Sequence, residues 1–305
     1  MKKFFLILMT LLALSLGACG ASQSANNPPA TPGIPTVLAS TSFLADLAQN
    51  VAGDRLQVET LIPLGVDPHE YEPTPQDVAK LANSQVLIVN GIGYEFWLQK
   101  TLDGVGGSRQ IITATTGMTP LASTSSEDTS GDPHMWLDVS RAIKYVETIR
   151  DGLIQADPAG KDIYTRNATT YIAKLNELDQ WIKDQVSQIP ANKRLLVTNH
   201  DSLAYFSQAY GFTVVGAVIP SVTTDASPSA QQMADLIQTI KSSGAPAIFV
   251  ETGVNTDLAD QIASEANVKV ITNLYLETLS APNGPAPDYI DMMKSDVTQI
   301  VNALK

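Results

Sequence analysis

Short apolar runs recur along this chain, and most are followed by a stretch whose apolar residues have helical spacing. In the first half Thr36-Val37-Leu38-Ala39, Val58 to Ile62, Val86-Leu87-Ile88-Val89 and Gln110-Ile111-Ile112 read as strands. In the second half Leu195 to Thr198, Thr213 to Val218, Ala247 to Val250 and Val268 to Ile271 read the same way. Continuous rather than alternating apolar runs are what parallel strands buried on both faces require. Between them, Phe43, Leu44, Leu47, Ala48 and Val51 share one face of a helix that Ser42 caps and Gly53 stops. Thr74-Pro75 is a helix start with proline in the first turn. Asn90-Gly91-Ile92-Gly93 turns into a helix carrying Tyr94 to Leu98, and Asp138 precedes one reaching about Gln155. Ser227-Pro228 and Thr256 open two more, and the last helix is expected from Ala286 to Leu304. Strand and helix alternate throughout, which predicts an α/β fold with mostly parallel sheets.

One segment breaks the rhythm. From Ala159 to about Gln188 there is no proline, and no glycine after Gly160, while Ile163, Ala168, Tyr171, Leu175, Leu178, Ile182 and Val186 keep near-helical spacing. A helix of about 30 residues spans about 45 Å, long for one small domain. It reads as a rigid strut, dividing the chain into an N-terminal α/β lobe at 36–157, a linking helix at 158–189 and a C-terminal α/β lobe at 190–305. Open α/β sheets bind ligands beyond the carboxyl ends of their strands, so two facing lobes would enclose a cleft.

The N-terminus reads as targeting. Lys2 and Lys3 precede an apolar run from Phe4 to Leu14 that is too short to span a bilayer. Leu16-Gly17-Ala18-Cys19 resembles a lipoprotein cleavage site, making 1–18 a signal peptide and Cys19 the lipidated residue. Residues 19–35, rich in Ser, Asn, Ala, Thr and Pro, read as a flexible tether. Cys19 is the single cysteine, so an exported chain would fold without an internal disulfide.

Composition narrows the partners. A formal net charge of −12 argues against nucleic acid, whose phosphates need a basic surface. The acidity is compatible with capturing cations.

Only three histidines occur in 305 residues. His69 lies in Asp67-Pro68-His69-Glu70-Tyr71-Glu72-Pro73-Thr74-Pro75, and His134 in Asp132-Pro133-His134-Met135-Trp136-Leu137-Asp138. His200 follows the run Leu195 to Thr198 in Thr198-Asn199-His200-Asp201. Each lies at or beyond a presumed strand end, and a preceding proline restricts two of them. Three imidazoles in such positions point to one transition-metal ion.

These motifs, with Asn90-Gly91-Ile92-Gly93-Tyr94-Glu95-Phe96-Trp97-Leu98 and Ile248-Phe249-Val250-Glu251, resemble the zinc- and manganese-specific solute-binding lipoproteins of bacterial ABC importers. The resemblance covers nearly the whole mature chain. It implies that His69, His134 and His200 are metal ligands, with a carboxylate or water as the fourth. Glu277 is the carboxylate in the matching loop. Glu251, at a strand end, is the competitor, or orients a ligand histidine from behind. Trp97, Trp136 and Tyr94 are expected in domain packing. Manganese members tend to carry a carboxylate at the third position, so His200 favours Zn²⁺, with Mn²⁺ as the alternative. Thr119 to Gly131 contains acids and no histidine, unlike the histidine-rich loop of many zinc members.

The resemblance further implies a non-enzymatic, monomeric, extracytoplasmic protein, anchored by lipid at the cell surface or in a periplasm, that hands its metal to a membrane permease. Two other classes compete. A zinc hydrolase would leave an open fourth position and supply a general base, and no HExxH helix is present. A surface adhesin is compatible with a lipid anchor, but no stretch specifies an adhesive partner.

Overall fold

The computed structural model describes residues 33–123 and 130–305. The expected signal peptide at 1–18, Cys19, the tether as far as residue 32 and residues 124–129 of the acidic loop lie outside the described residues. Among the described residues, no helix is long and apolar enough to cross a membrane.

The first lobe runs β1 (Val37–Ala39), α1 (Ser42–Ala52), β2 (Val58–Thr60), α2 (Pro75–Asn83), β3 (Val86–Val89), α3 (Leu98–Val105), β4 (Gln110–Thr113) and α4 (Val139–Ala156). The long helix α5 (Lys161–Val186) follows. The second lobe runs β5 (Leu195–His200), α6 (Ala204–Tyr210), β6 (Thr213–Ile219), α7 (Ala230–Ser243), β7 (Ala247–Glu251), α8 (Asp257–Ala266), β8 (Lys269–Leu274) and α9 (Tyr289–Leu304). Each sheet has four strands, in the orders β2-β1-β3-β4 and β6-β5-β7-β8. All pairings are parallel, as the unbroken apolar runs predict. Both sheets share one topology, with the strand order reversing between β1 and β3 and again between β5 and β7. That reversal opens a crevice at the strands' carboxyl ends.

The strands that read as most apolar are the most buried. Every residue of β3 is buried, as is every residue of β7. Val197, Ile248 and Val250 are fully covered in the second lobe by α7 and α8, through Ile240 and Ile262. Helix α5 buries Tyr164, Ala168, Tyr171, Leu175, Leu178, Ile182 and Val186, steps of three and four that form one face. At 26 residues it is about 39 Å long. That face packs on α1 and α4 and also on α9, so one rigid rod supports both lobes.

Four local expectations need correction. Helix α3 starts at Leu98, and residues 92–97 form turns. Gly91, Ile92 and Gly93 all have positive φ, and the Glu95 carboxylate accepts from the Asn90 and Gly91 amides, so the loop is closed before a helix can start. Helix α7 starts after Ser229, not at Ser227-Pro228, because Ser229 and Gln232 form a reciprocal capping box. Helix α9 starts after Asp288, whose side chain accepts from the Asp291 amide. Ser42 is the first helical residue of α1 and does not cap it; its hydroxyl accepts from the Leu279 amide instead.

Candidate metal site

His69 lies in the loop from β2 to α2, which three features hold in shape. The Asp67 carboxylate accepts from the His69 amide at 2.8 Å, an Asx turn across Pro68. The Trp97 indole donates to the Pro68 carbonyl at 3.1 Å. Thr74 and Asp77 close the loop with a capping box that starts α2. The Tyr94 ring meets the His69 imidazole edge-on, centroids 5.1 Å apart.

His134 repeats the device after β4. Asp132 Oδ1 accepts from the His134 amide at 2.9 Å and from its ring Nδ1 at 2.8 Å. Asn90, at the end of β3, donates to the Pro133 carbonyl and is itself held by the Tyr145 hydroxyl. Thus the same Asp-Pro-His phrase produces the same turn twice, each time with the aspartate binding the histidine's own backbone.

In the second lobe, His200 is the last residue of β5 and Glu251 the last of β7, the two strands flanking the crevice. Glu251 Oε1 accepts from His200 Nδ1 at 2.7 Å. Glu277 lies three residues beyond β8.

The three histidines and Glu277 converge, each offering one donor atom, with all four atoms within 4.8 Å of one another. Glu277 Oε1 is 2.9 Å from His134 Nε2, 3.1 Å from His69 Nε2 and 3.5 Å from His200 Nε2. His134 and His200 Nε2 are 3.2 Å apart. Four ligands at about 2.0–2.2 Å around a tetrahedral ion are separated by about 3.3–3.6 Å, so these four separations are close to or slightly shorter than those of a single-ion site. The three imidazoles are fully buried and Glu277 is 6% exposed. A buried cluster this polar needs either protons or a cation to compensate it.

The charges around the cluster shift the titration of its members. Burial resists charging of the His200 ring, but Glu251 on one nitrogen and Glu277 on the other outweigh burial and hold its pKa well above the ordinary value. His134 shows the same balance: burial lowers its pKa, while Asp132 and Glu277 together raise it further. Burial pushes the Glu277 carboxyl up, yet the imidazoles of His69, His134 and His200 drive it well below the usual range. Ligation needs neutral imidazoles, so protons compete with a metal ion for this site.

Glu251 stands apart from the converging four, on the far nitrogen of His200. A carboxylate there fixes the tautomer and turns the Nε2 lone pair inward. Asp132 does the same for His134, and no expectation from the sequence had assigned it that place, although the Asp-Pro-His repeat was the available signal. Among the described residues, His69 Nδ1 is buried without a hydrogen-bond partner. The tryptophans do more than pack: Trp97 holds the Pro68 carbonyl and Trp136 Nε1 donates to the Leu276 carbonyl at 2.8 Å.

The family model described as "Zinc-uptake complex component A periplasmic" matches residues 37–303. The chain belongs to this family. It is 36% identical, over all of its length and 99% of the relative's, to the manganese-binding lipoprotein MntA of Halalkalibacterium halodurans. It is 30% identical, with the same coverage, to the manganese ABC transporter substrate-binding lipoprotein PsaA of Streptococcus pneumoniae. Among solved structures, the periplasmic zinc-binding protein TroA of Treponema pallidum superposes with a TM-score of 0.81 at 27% identity, covering 89% of this chain and 99% of that one.

Proposed function

We propose that this chain captures a divalent transition metal outside the cytoplasm as the substrate-binding component of an ABC importer, and that its cargo is Zn²⁺ held by His69, His134, His200 and Glu277. The observation that carries the reading is the convergence of three imidazole Nε2 atoms and one carboxylate oxygen in a buried pocket between two lobes. Three nitrogens and one oxygen suit tetrahedral zinc, whereas manganese favours oxygen-rich sets. Mn²⁺ is the competing cargo, and the manganese names of MntA and PsaA speak for it.

The same geometry argues for carriage rather than hydrolysis. Glu277 lies within 3.5 Å of all three Nε2 atoms and takes the position that a zinc hydrolase leaves to water. Glu251 binds the back of His200 through Oε1, on the side away from the four converging donor atoms. The lobe boundaries at 36–157, 158–189 and 190–305, the signal at 1–18, a lipid on Cys19, a monomeric state and a permease partner belong to the same proposal. The lipoprotein names of the curated relatives support the anchor.

Metal analysis of the purified chain, followed by competition titration of Zn²⁺ against Mn²⁺, tests the reading. One zinc per chain, able to displace manganese at equal concentration, is expected. Retention of Mn²⁺ against an equal concentration of Zn²⁺ would overturn the choice of cargo.

A further inference from the structure

The segment that presents Glu277 belongs to the second lobe by sequence, but the groups that hold it come largely from the first. Trp136 Nε1 donates to the Leu276 carbonyl at 2.8 Å. The Leu279 amide donates to Ser42 Oγ at 2.9 Å, and the Gly65 amide to Thr278 Oγ1 at 3.0 Å. On its own side the segment is tied by the Tyr275 amide to Asp296 at 2.7 Å.

Trp136 is the closest of these holds to the carboxylate, gripping the carbonyl immediately before Glu277. It is also two residues beyond His134, on the 3₁₀ turn Met135–Leu137. Its ring is fully buried, stacked on Phe43 with centroids 4.4 Å apart, and in contact with the edge of Tyr94. Its carbonyl accepts from the Tyr289 hydroxyl. The indole has a single donor and few rotatable bonds, so a ring locked in this way fixes where its N–H points.

We infer that Trp136 is a positioning residue for the metal: it joins the His134 and Glu277 segments into one unit and thereby sets the placement of the Glu277 carboxylate. The inference rests on the proposed ligand set. Trp136 touches no ligand atom of Glu277; it acts through the Leu276 backbone. Releasing that carbonyl leaves the segment tethered by Ser42, Gly65 and Asp296, none of them on the peptide next to Glu277, so the carboxylate is free to wander by fractions of an ångström. Groups that orient a metal ligand are worth about 10- to 100-fold in metal affinity.

A double-mutant cycle separates this role from a general packing role. Zn²⁺ affinity is measured by chelator competition for the wild type, Trp136→Phe, Glu277→Ala and the double variant, with the melting temperature of each metal-free protein as the control for folding. Phenylalanine keeps the contact with Phe43 and removes the donor. The expected result is a loss of about 10-fold or more for Trp136→Phe in the wild type, and a change of less than about twofold when Glu277 is already alanine. Equal losses in both backgrounds, or no loss in the wild type, would overturn the inference. Should Trp136→Phe not fold, β-(3-benzothienyl)alanine at position 136 keeps the bicyclic shape with sulfur in place of N–H, and the same criteria apply. Glu277→Ala alone distinguishes the two levels of the argument. Unchanged affinity there contradicts the ligand set itself, whereas a loss there with none from the Trp136 variant removes only the positioning role.

Discussion

Glu277 Oε1 lies 2.9 Å from His134 Nε2, although 143 positions separate the two residues. One comes from the loop after β4 of the first sheet and the other from beyond β8 of the second, so elements far apart in the chain meet at the site. His69→Ala, His134→Ala or His200→Ala should each weaken Zn²⁺ binding by more than about 100-fold, exceeding what an orienting partner contributes. Glu277→Ala should lose less, because water can fill a vacated oxygen position. Chelator-competition titrations of the four variants check this order, and a His200→Ala protein that binds like wild type would remove the third ligand.

Glu251→Gln tests the support behind His200. The amide oxygen can still accept from Nδ1, but the charge is gone, and about a 10-fold loss of affinity is expected at pH 8. Glu251 also raises the His200 pKa, so removing its charge reduces proton competition. The loss should therefore shrink at pH 6. Titrations at the two pH values give the comparison, and a pH-independent loss would contradict it.

Gly253 tests the packing of its loop on the one leading to His69 without touching the site. A Cβ there would sit 2.6 Å from the Gly65 carbonyl oxygen, across from the loop that leads to His69, and its φ of +93° already disfavours any side chain. Gly253→Ala should hold the two loops apart and lower Zn²⁺ affinity while leaving the four donor residues intact. Parallel melting of the metal-free variant separates local strain from displacement of the His69 loop: a large fall in melting temperature with unchanged affinity would argue for strain alone.

The pH dependence follows from the raised pKa values of His200 and His134. A histidine whose folded pKa lies above its unfolded value of about 6.5 stabilises the metal-free fold fully below that value. That contribution disappears as pH rises through the folded pKa. Metal binding runs the other way, since ligation needs neutral rings. Glu277, with its depressed pKa, stabilises the fold above about 4.3, and that share is lost only as pH falls through its lower folded value. The zinc-induced rise in melting temperature at subsaturating metal should therefore decline from pH 8 to pH 6, beginning above 6.5. Calorimetry at pH 7 in buffers of different ionisation enthalpy should register roughly one to two protons released per ion. No proton release would contradict competition between metal and protons for these rings.

Much of this architecture is written locally. The apolar runs of β3 and β7 mark buried parallel strands, and the α5 pattern marks its single buried face. Thr74-Pro75 announces the start of α2. The two Asp-Pro-His phrases point to paired turns because the aspartate binds a backbone amide only two residues away. What stayed hidden depends on partners distant in the chain. Helix α3 begins late because Glu95 is drawn to the ends of β1 and β3, binding Ser40 as well as Asn90 and Gly91. Ser42 has the composition of a cap, yet it serves Leu279, 237 positions away. The choice between Glu251 and Glu277 turns on which neighbouring strand faces the crevice and where the other lobe lies, and no local pattern encodes either. The Trp136 indole likewise resembles any buried aromatic until the Leu276 carbonyl is placed against it.

X-ray absorption at the zinc edge of the Zn²⁺-loaded protein tests the central claim most directly. The account predicts a four-coordinate first shell at about 2.0–2.1 Å with the outer-sphere scattering of three imidazoles and no sulfur. A shell dominated by oxygen, or one with the signal of no more than one imidazole, would contradict it.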